Sequence, residues 1–275
     1  MVSLKMANST TFTHDPLPIH TMAVHIIIVA LIIIAIFANS FTYTPSFSFH
    51  CSNYVANTYL YFLLTWGLAL LTVHALDIQF TVKGAPLSSM PLWNSGARLG
   101  FALLSIVLLL AMIWSRGSIV WSHIFFLAWT VVIGVLLYYL FILDRNLFYS
   151  SMMTVVGILI VFTIVSIMFP NMINGKMAGY MMGVLIALII AGLVEIILRA
   201  TGTISYEDSR KISKVISYVA IVLFTLFLIY DTNEIRVDAI RCNMTSNKPN
   251  YIHSSLGIFL DTLNLLTNIF NVSSD

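Results

Sequence analysis

The sequence predicts an all-α, polytopic membrane protein. Of its 275 residues, 59% are hydrophobic and only 9% are charged, whereas soluble domains carry about 25% charged residues. Too few polar side chains are therefore present to cover a water-soluble particle, which excludes a soluble enzyme. The apolar residues form runs that are apolar on every face, as in membrane helices, whereas a membrane barrel would alternate every second residue. The nearly balanced net charge of +2 argues against nucleic-acid binding.

Eight stretches are long and apolar enough to cross a bilayer as helices. They cover residues 22–38, 57–76, 99–115, 118–143, 149–169, 177–197, 212–235 and 251–270. Turn-forming residues separate several of them, namely Pro86 and Pro91, Asp144-Arg145-Asn146, and Pro170 with Asn174-Gly175. Because about 160 residues fall in spans, the loops are too short for a second globular domain.

The first apolar stretch has some features of a signal sequence. Lys5 precedes the 22–38 run, and Ala38-Asn39-Ser40 offers a poor small-residue cleavage site. A run of about 17 residues is long for a signal core. We therefore expect an uncleaved anchor.

The distribution of basic residues gives a weak indication of orientation. If all eight stretches cross, eight of the 13 Lys and Arg residues lie on the side of both termini and five on the other side, which favours cytosolic termini. Cys51 and Cys242 would then share the opposite side with the glycosylation sequon Asn243-Met244-Thr245. Two cysteines can equally remain free thiols, and we prefer that simpler interpretation to a disulfide.

Three acidic residues, Glu195, Asp231 and Asp261, lie inside apolar runs. A carboxylate at membrane depth costs several kcal/mol unless it is paired, solvated or protonated, so each is a candidate functional residue. Arg199 lies four residues after Glu195, on the same helix face. We expect a local ion pair between these two, with a role in a polar pathway as the alternative.

Asp261 belongs to a polar stripe along the last predicted helix. Ser254, Gly257, Asp261, Asn264 and Asn268 follow a 3,4,3,4 spacing, which places them on one helix face. Lipid cannot satisfy such a stripe, so it should face protein or water and line a pore. The alternative is an amphipathic helix on the membrane surface, but this stripe lacks the Lys and Arg that such helices carry.

Asp231 ends the apolar part of the preceding helix. If that helix continues to Arg241, Asp231 and Asp261 each lie ten residues from the intervening turn, about 15 Å along two antiparallel helices. Two carboxylates in contact at low dielectric cannot both ionise cheaply, so they would share a proton. Such a pair would be a proton switch that holds its helices together at low pH. Alternatively, the two acids lie on opposite faces and never meet.

Two motifs in this region resemble the Bax inhibitor family, also called the Lifeguard or transmembrane Bax-inhibitor-motif family. FTLFLIYDTN at 224–233 is similar to the family's FTLFLxYDTQ at the end of its sixth helix. YI at 251–252 followed by SLGIFLDTLNLL at 255–266 resembles the family's seventh helix. The resemblance is strong over 212–270 and rests on the span pattern before that. LAMIWSR at 110–116 is similar to the end of the family's second helix.

The resemblance implies seven helices around a central last helix at 41–275, preceded by a tail and an extra hydrophobic segment at 1–40. It implies that the family's paired aspartates fall on Asp231 and Asp261, where they also serve as transient calcium ligands. Its gating arginine would fall on Arg116. The family turn that joins the two motifs is shorter than the one found here.

The function implied by the resemblance is a pH-sensitive calcium leak that restrains cell death, in endoplasmic reticulum, Golgi or plasma membrane. The alternative is a non-conducting regulator that binds other membrane proteins of death signalling. Neither His-Glu-x-x-His nor Gly-x-Ser-x-Gly occurs, so an enzyme is not expected. We expect no cofactor, with calcium as the permeant ion, and the lipid bilayer rather than nucleic acid as a partner.

Overall fold

The computed structural model describes residues 19–41, 51–82, 95–170, 172–245 and 250–274, and these contain no β-strand. Eight long helices follow one another in the described part of the chain. They are α1 (Ile19–Phe41), α2 (Tyr54–Val82), α3 (Ser95–Trp114), α4 (Ile119–Leu143), α5 (Arg145–Met168), α6 (Gly175–Ala200), α7 (Tyr206–Thr245) and α8 (Tyr251–Ser273). Each predicted stretch coincides with one of these helices to within one residue at the ends where it extends further, so the all-α fold is confirmed.

Polar residues that flank the apolar runs cap several of the helices. The side chain of Asp144 accepts a hydrogen bond from Leu147 N at the start of α5, at 2.9 Å. Asn174 accepts one from Met177 N at the start of α6, at 3.0 Å. Such caps satisfy backbone N–H groups that have no partner within the helix. The turn residues therefore determine where these helices begin.

Within the described residues, seven helices, α1 to α7, are long and apolar enough to cross a membrane. The 40 residues of α7 make a helix about 60 Å long, which is about twice the thickness of the hydrocarbon layer. This helix therefore extends well beyond the hydrocarbon.

Helix α8 is not among these seven, so its composition alone does not support the predicted span at 251–270. It is nevertheless deeply buried in protein: Ile258, Phe259, Leu265 and Leu266 have no exposed surface. It packs against α5 and α7. A helix shielded from lipid by its neighbours can carry polar residues that a lipid-facing helix cannot.

The chain divides into two compact units. Among the described residues, the first contains α1, α2 from Leu63 onward, α3 and α4. In this unit Trp129 Nε1 donates to Ser105 Oγ at 3.1 Å and joins α4 to α3. A Cβ atom at Gly134 would lie 2.6 Å from the carbonyl oxygen of Ala69. The glycine therefore allows α4 to approach α2 closely.

The second unit contains the described residues up to Phe62 in α2, together with α5 to α8. Helices α7 and α8 form its centre and have the most extensive contact of any helix pair. Ser166 Oγ donates to the carbonyl oxygen of Ile229 at 3.1 Å, which joins α5 to α7. The boundary predicted between residues 40 and 41 stays a prediction.

Cys51 and Cys242 form a disulfide in the second unit, with their Cα atoms 5.6 Å apart. The preferred interpretation of two free thiols was therefore wrong. The two cysteines are separated by 191 positions, and only the folded chain brings the segment before α2 to the end of α7. The bond closes a very long loop of the unfolded chain, the situation in which a cross-link removes most entropy.

We expect the double substitution Cys51→Ser, Cys242→Ser to lower the free energy of unfolding by about 2 to 5 kcal/mol. The measurement is the apparent melting temperature in mild detergent, with and without a thiol reductant. Reductant should lower the melting temperature of the wild type and leave that of the variant unchanged. A wild-type protein insensitive to reductant would contradict a structural role for the disulfide.

Candidate functional site: a buried acid pair

Helices α7 and α8 bring the carboxyl groups of Asp231 and Asp261 into direct contact. The two side chains form a hydrogen bond, and Asp261 is only 5% exposed. Asp261 Oδ2 is buried, and no N–H or hydroxyl group among the described residues donates to it. An ionised carboxylate only accepts hydrogen bonds. The contact therefore requires one proton on the pair.

A second polar contact joins the same faces of α7 and α8 two helical turns away from the acid pair. Ser254 Oγ donates to Asp238 Oδ2 at 3.0 Å. Asp238 lies seven residues after Asp231, and Ser254 lies seven residues before Asp261. Seven residues make about two turns of an α-helix, so the same faces of α7 and α8 meet at both levels. The polar stripe of α8 thus faces α7 over this length.

Gly257 makes room for the acid pair. A Cβ atom at this position would overlap the Asp231 carboxyl group, with its Cγ only 2.8 Å away. The Asp231 side chain therefore lies directly on the backbone of α8, one turn before Asp261. Any side chain larger than hydrogen at residue 257 would push the Asp231 carboxyl out of this position.

An open cavity of about 550 Å³ borders the acid pair and is formed by α6, α7 and α8. Asp231, Gly257, Asp261 and Asn264 contribute to its wall. The rest of the lining is mostly apolar and consists of Met182, Leu185, Leu188, Ile189, Ala220, Phe224, Phe227, Tyr230 and Leu260. The two carboxyls are thus the ionisable groups most able to attract a cation into this space.

Two of the predicted pore-lining residues lie outside this cavity. Ser254 is bonded to Asp238, and the hydroxyl of Tyr54 lies 2.7 Å from its Oγ. Asn268 Nδ2 donates to the backbone carbonyl of Asn264 at 2.8 Å. The middle of the stripe, at Gly257, Asp261 and Asn264, therefore borders the cavity, whereas its two ends do not.

Further charged residues, among them Glu234, Asp238 and Arg241, lie on α7 between the acid pair and Cys242. Arg241 Nη1 lies 2.8 Å from Asp238 Oδ1, and Arg241 Nη2 lies 3.9 Å from Glu234 Oε1. These side chains are partly or largely exposed. The two outer acids thus share one arginine as an ion-pair partner.

The structure gives Glu195 and Arg199 different partners rather than the predicted ion pair. Ser209 Oγ donates to Glu195 Oε1, and the Arg199 guanidinium lies 4.9 Å from the centre of the Tyr206 ring. Both partners lie near the start of α7. The connection between α6 and α7 is short, so the first residues of α7 lie beside the end of α6. Residue spacing within α6 could not predict these contacts.

The side chain of Arg116, the predicted gating arginine, lies outside the described residues. Its backbone belongs to the short 3₁₀ segment Ser115–Gly117 between α3 and α4. Its role as the partner of the acid pair stays a prediction.

One buried acid escaped prediction. Asp77 in α2 has no exposed surface, but the predicted span ended at Leu76, whereas α2 continues to Val82. A search for acids that extends two turns beyond each apolar run would have found it.

These features define a polytopic helical membrane protein with an ionisable pair buried between two helices. The family model described as "Inhibitor of apoptosis-promoting Bax1" matches residues 51–273. The chain therefore belongs to the Bax inhibitor family, as its motifs suggested, and is a Bax-inhibitor-type membrane protein of apoptosis regulation. The match contains α2 to α8 and begins after α1, which is the extra N-terminal helix. No curated protein and no solved structure matched significantly.

We expect Gly257→Ala to separate the acid pair without unfolding the protein. Alanine is favoured over glycine in a helix by about 1 kcal/mol, but its methyl group would displace the Asp231 carboxyl. Any pH response that depends on the pair should then be lost while the yield of folded protein is kept. Gly192→Ala in α6 is the matched control, because nothing lies within 4 Å of a Cβ there. An unchanged pH response of Gly257→Ala would contradict the assigned role of the pair.

Proposed function

We propose that the protein is a calcium leak channel gated by the protonation of Asp231 and Asp261. The observation that supports this most is the contact between the two carboxyls at the wall of an open, otherwise largely apolar cavity. Ionisable residues that are buried in membrane proteins are costly and commonly mark ion or proton pathways. The family membership supports a role in restraining cell death.

The protonated pair favours the closed state. Its hydrogen bond joins α7 to α8 near the middle of their contact. When the proton leaves, two like charges face each other, and at about 4 Å with an effective dielectric constant of 20 they repel by about 4 kcal/mol. This exceeds the roughly 1.5 to 3 kcal/mol of one hydrogen bond to a charged group. Loss of the proton should therefore separate the helices locally.

The ionised pair would attract calcium into the cavity as the permeant ion. Ca²⁺ prefers six to eight oxygen ligands, which carboxylates, carbonyls and water supply. Asp231 and Asp261 provide up to four carboxylate oxygens, and water would provide most of the others. Among the described residues, no group of three or more His, Cys, Asp or Glu is arranged to hold a metal ion. We propose calcium as an ion in transit and expect no cofactor.

The test is calcium uptake into liposomes that contain the purified full chain. Flux is measured at about pH 6 and about pH 8, which brackets the range in which a buried pair can exchange a shared proton. We expect a larger flux at the higher pH, because the pair is then ionised. Empty liposomes are the control.

The flux experiment also tests the alternative function. A folded protein that gives no flux above the empty liposomes at either pH would overturn the leak. It would leave a non-conducting regulator that binds other membrane proteins of death signalling. A flux that is equal at both pH values would keep conduction but overturn gating by the acid pair. We propose the endoplasmic reticulum, the Golgi or the plasma membrane as the location, since the disulfide requires an oxidising compartment on one side.

A further inference from the structure

The sequence contains three Asn-x-Ser/Thr sequons, which are acceptors for N-linked glycans. They are Asn8-Ser9-Thr10, Asn243-Met244-Thr245 and Asn271-Val272-Ser273. Asn8 lies outside the described residues. The other two lie at opposite ends of the antiparallel pair of α7 and α8, because Asn243 is near the end of α7 and Asn271 is near the end of α8. If this pair spans the bilayer, only one of them can face the compartment in which glycans are attached.

The Asn243 end carries the signature of an oxidising compartment. Cys242 precedes Asn243 directly and is bonded to Cys51. Disulfides persist outside the cytosol and are rare inside it. The Asn243 side chain is exposed, so its amide is accessible to a modifying enzyme. Because α7 is about twice as long as the hydrocarbon layer is thick, its last turn can extend beyond that layer.

The Asn271 end has the opposite character. The Asn271 amide donates to Ser213 Oγ at 3.0 Å and to Ser217 Oγ at 2.8 Å, so it joins α8 to α7. Arg210 Nη2 donates to the carbonyl oxygen of Ser274 at 2.9 Å. Arg210, Lys211 and Lys214 lie at this end, but Arg236 and Arg241 lie toward the other end of α7 and Lys248 follows them in the sequence. The basic residues therefore favour neither side, and the disulfide determines the orientation.

We infer that Asn243 is an N-glycosylation site and that the Cys51–Cys242 end of the second unit faces the lumen or the cell exterior. In a eukaryotic secretory membrane, the Asn243 amide nitrogen displaces the pyrophosphate of a lipid-linked oligosaccharide. The new bond joins this nitrogen to the first sugar, a proton is lost, and the lipid pyrophosphate leaves. The reaction needs neither water nor an oxidant, because the sugar donor is already activated.

This orientation also assigns a side to the polar residues beyond the acid pair. Asp238 and Ser254 lie between the Asp231–Asp261 pair and the disulfide end of α7. Asp238 and Ser254 would therefore lie on the non-cytosolic side of the acid pair. The glycosylation site itself does not depend on the proposed leak, and it can fail or succeed independently of any calcium flux.

The test expresses the full chain in eukaryotic cells and compares its gel mobility before and after treatment with peptide N-glycosidase. The variants are Asn243→Gln, Thr245→Ala, Asn271→Gln and Asn8→Gln. We expect the wild type to shift by one glycan, and we expect Asn243→Gln and Thr245→Ala each to abolish the shift. Asn271→Gln and Asn8→Gln should retain it.

Three outcomes would overturn the inference: a wild type without a shift, a shift that persists in Asn243→Gln, or a shift that only Asn271→Gln or Asn8→Gln abolishes. Two substitutions that remove the same sequon guard against misfolding of either one. If Asn243→Gln misfolds, Thr245→Ala still decides the result, because it keeps the asparagine and removes only the acceptor motif.

Discussion

Asp231→Asn and Asp261→Asn are each expected to abolish the pH dependence of calcium flux in liposomes. The wild-type pair carries one shared proton. When this proton leaves, the two carboxylates repel each other and separate α7 from α8. An Asp–Asn pair keeps one carboxyl, but its ionisation creates no like-charge repulsion, because the amide beside it carries no charge. The ratio of the flux at about pH 8 to the flux at about pH 6 should therefore fall to about 1.

A matched control is Asp144→Asn. Asp144 is the exposed N-cap residue of α5, and asparagine caps a helix as well as aspartate does. This variant changes the same chemical group without touching the acid pair, so its pH response should equal that of the wild type. If both pair variants keep the wild-type response, the proton switch is wrong. If only one loses it, a single carboxyl rather than the pair controls the flux.

Leu265→Asn is expected to prevent the protein from folding. Leu265 has no exposed surface on α8, and removing a buried leucine costs about 2 to 5 kcal/mol. A buried amide without partners adds about 1 to 3 kcal/mol. The sum is comparable with the whole stability of many domains, about 5 to 15 kcal/mol. The measurement is the yield of monodisperse protein in mild detergent, which should fall to near zero.

Asn268→Leu is the counterpart on the same helix. The side chain of Asn268 is half-buried, and its one bond among the described residues goes to the backbone carbonyl of Asn264 in its own helix. Its replacement by leucine should leave most of the yield unchanged. Equal yields from Leu265→Asn and Asn268→Leu would mean that the polar and apolar faces of α8 have been assigned wrongly.

The sequence by itself determined the fold class and the number of long helices. A bilayer offers no hydrogen bonds to the backbone, so long apolar runs must form helices, and this constraint acts on each run separately. The breaks at Asp144 and Asn174 were visible in the sequence as turn-forming residues, and the structure adds that both side chains cap the helix that follows. The motif around Asp231 and the motif around Asp261 were also sufficient to indicate the Bax inhibitor family, which the family match confirms.

Only the tertiary structure decided which side chains meet. The sequence left open whether Asp231 and Asp261 face each other, because their contact depends on the rotation of α7 and α8 about their axes. It favoured free thiols over the Cys51–Cys242 bond, since nothing local joins residues separated by 191 positions. It paired Glu195 with Arg199, whereas the turn into α7 supplied other partners. Helix formation is a local consequence of composition, but each of these contacts depends on the packing of distant segments.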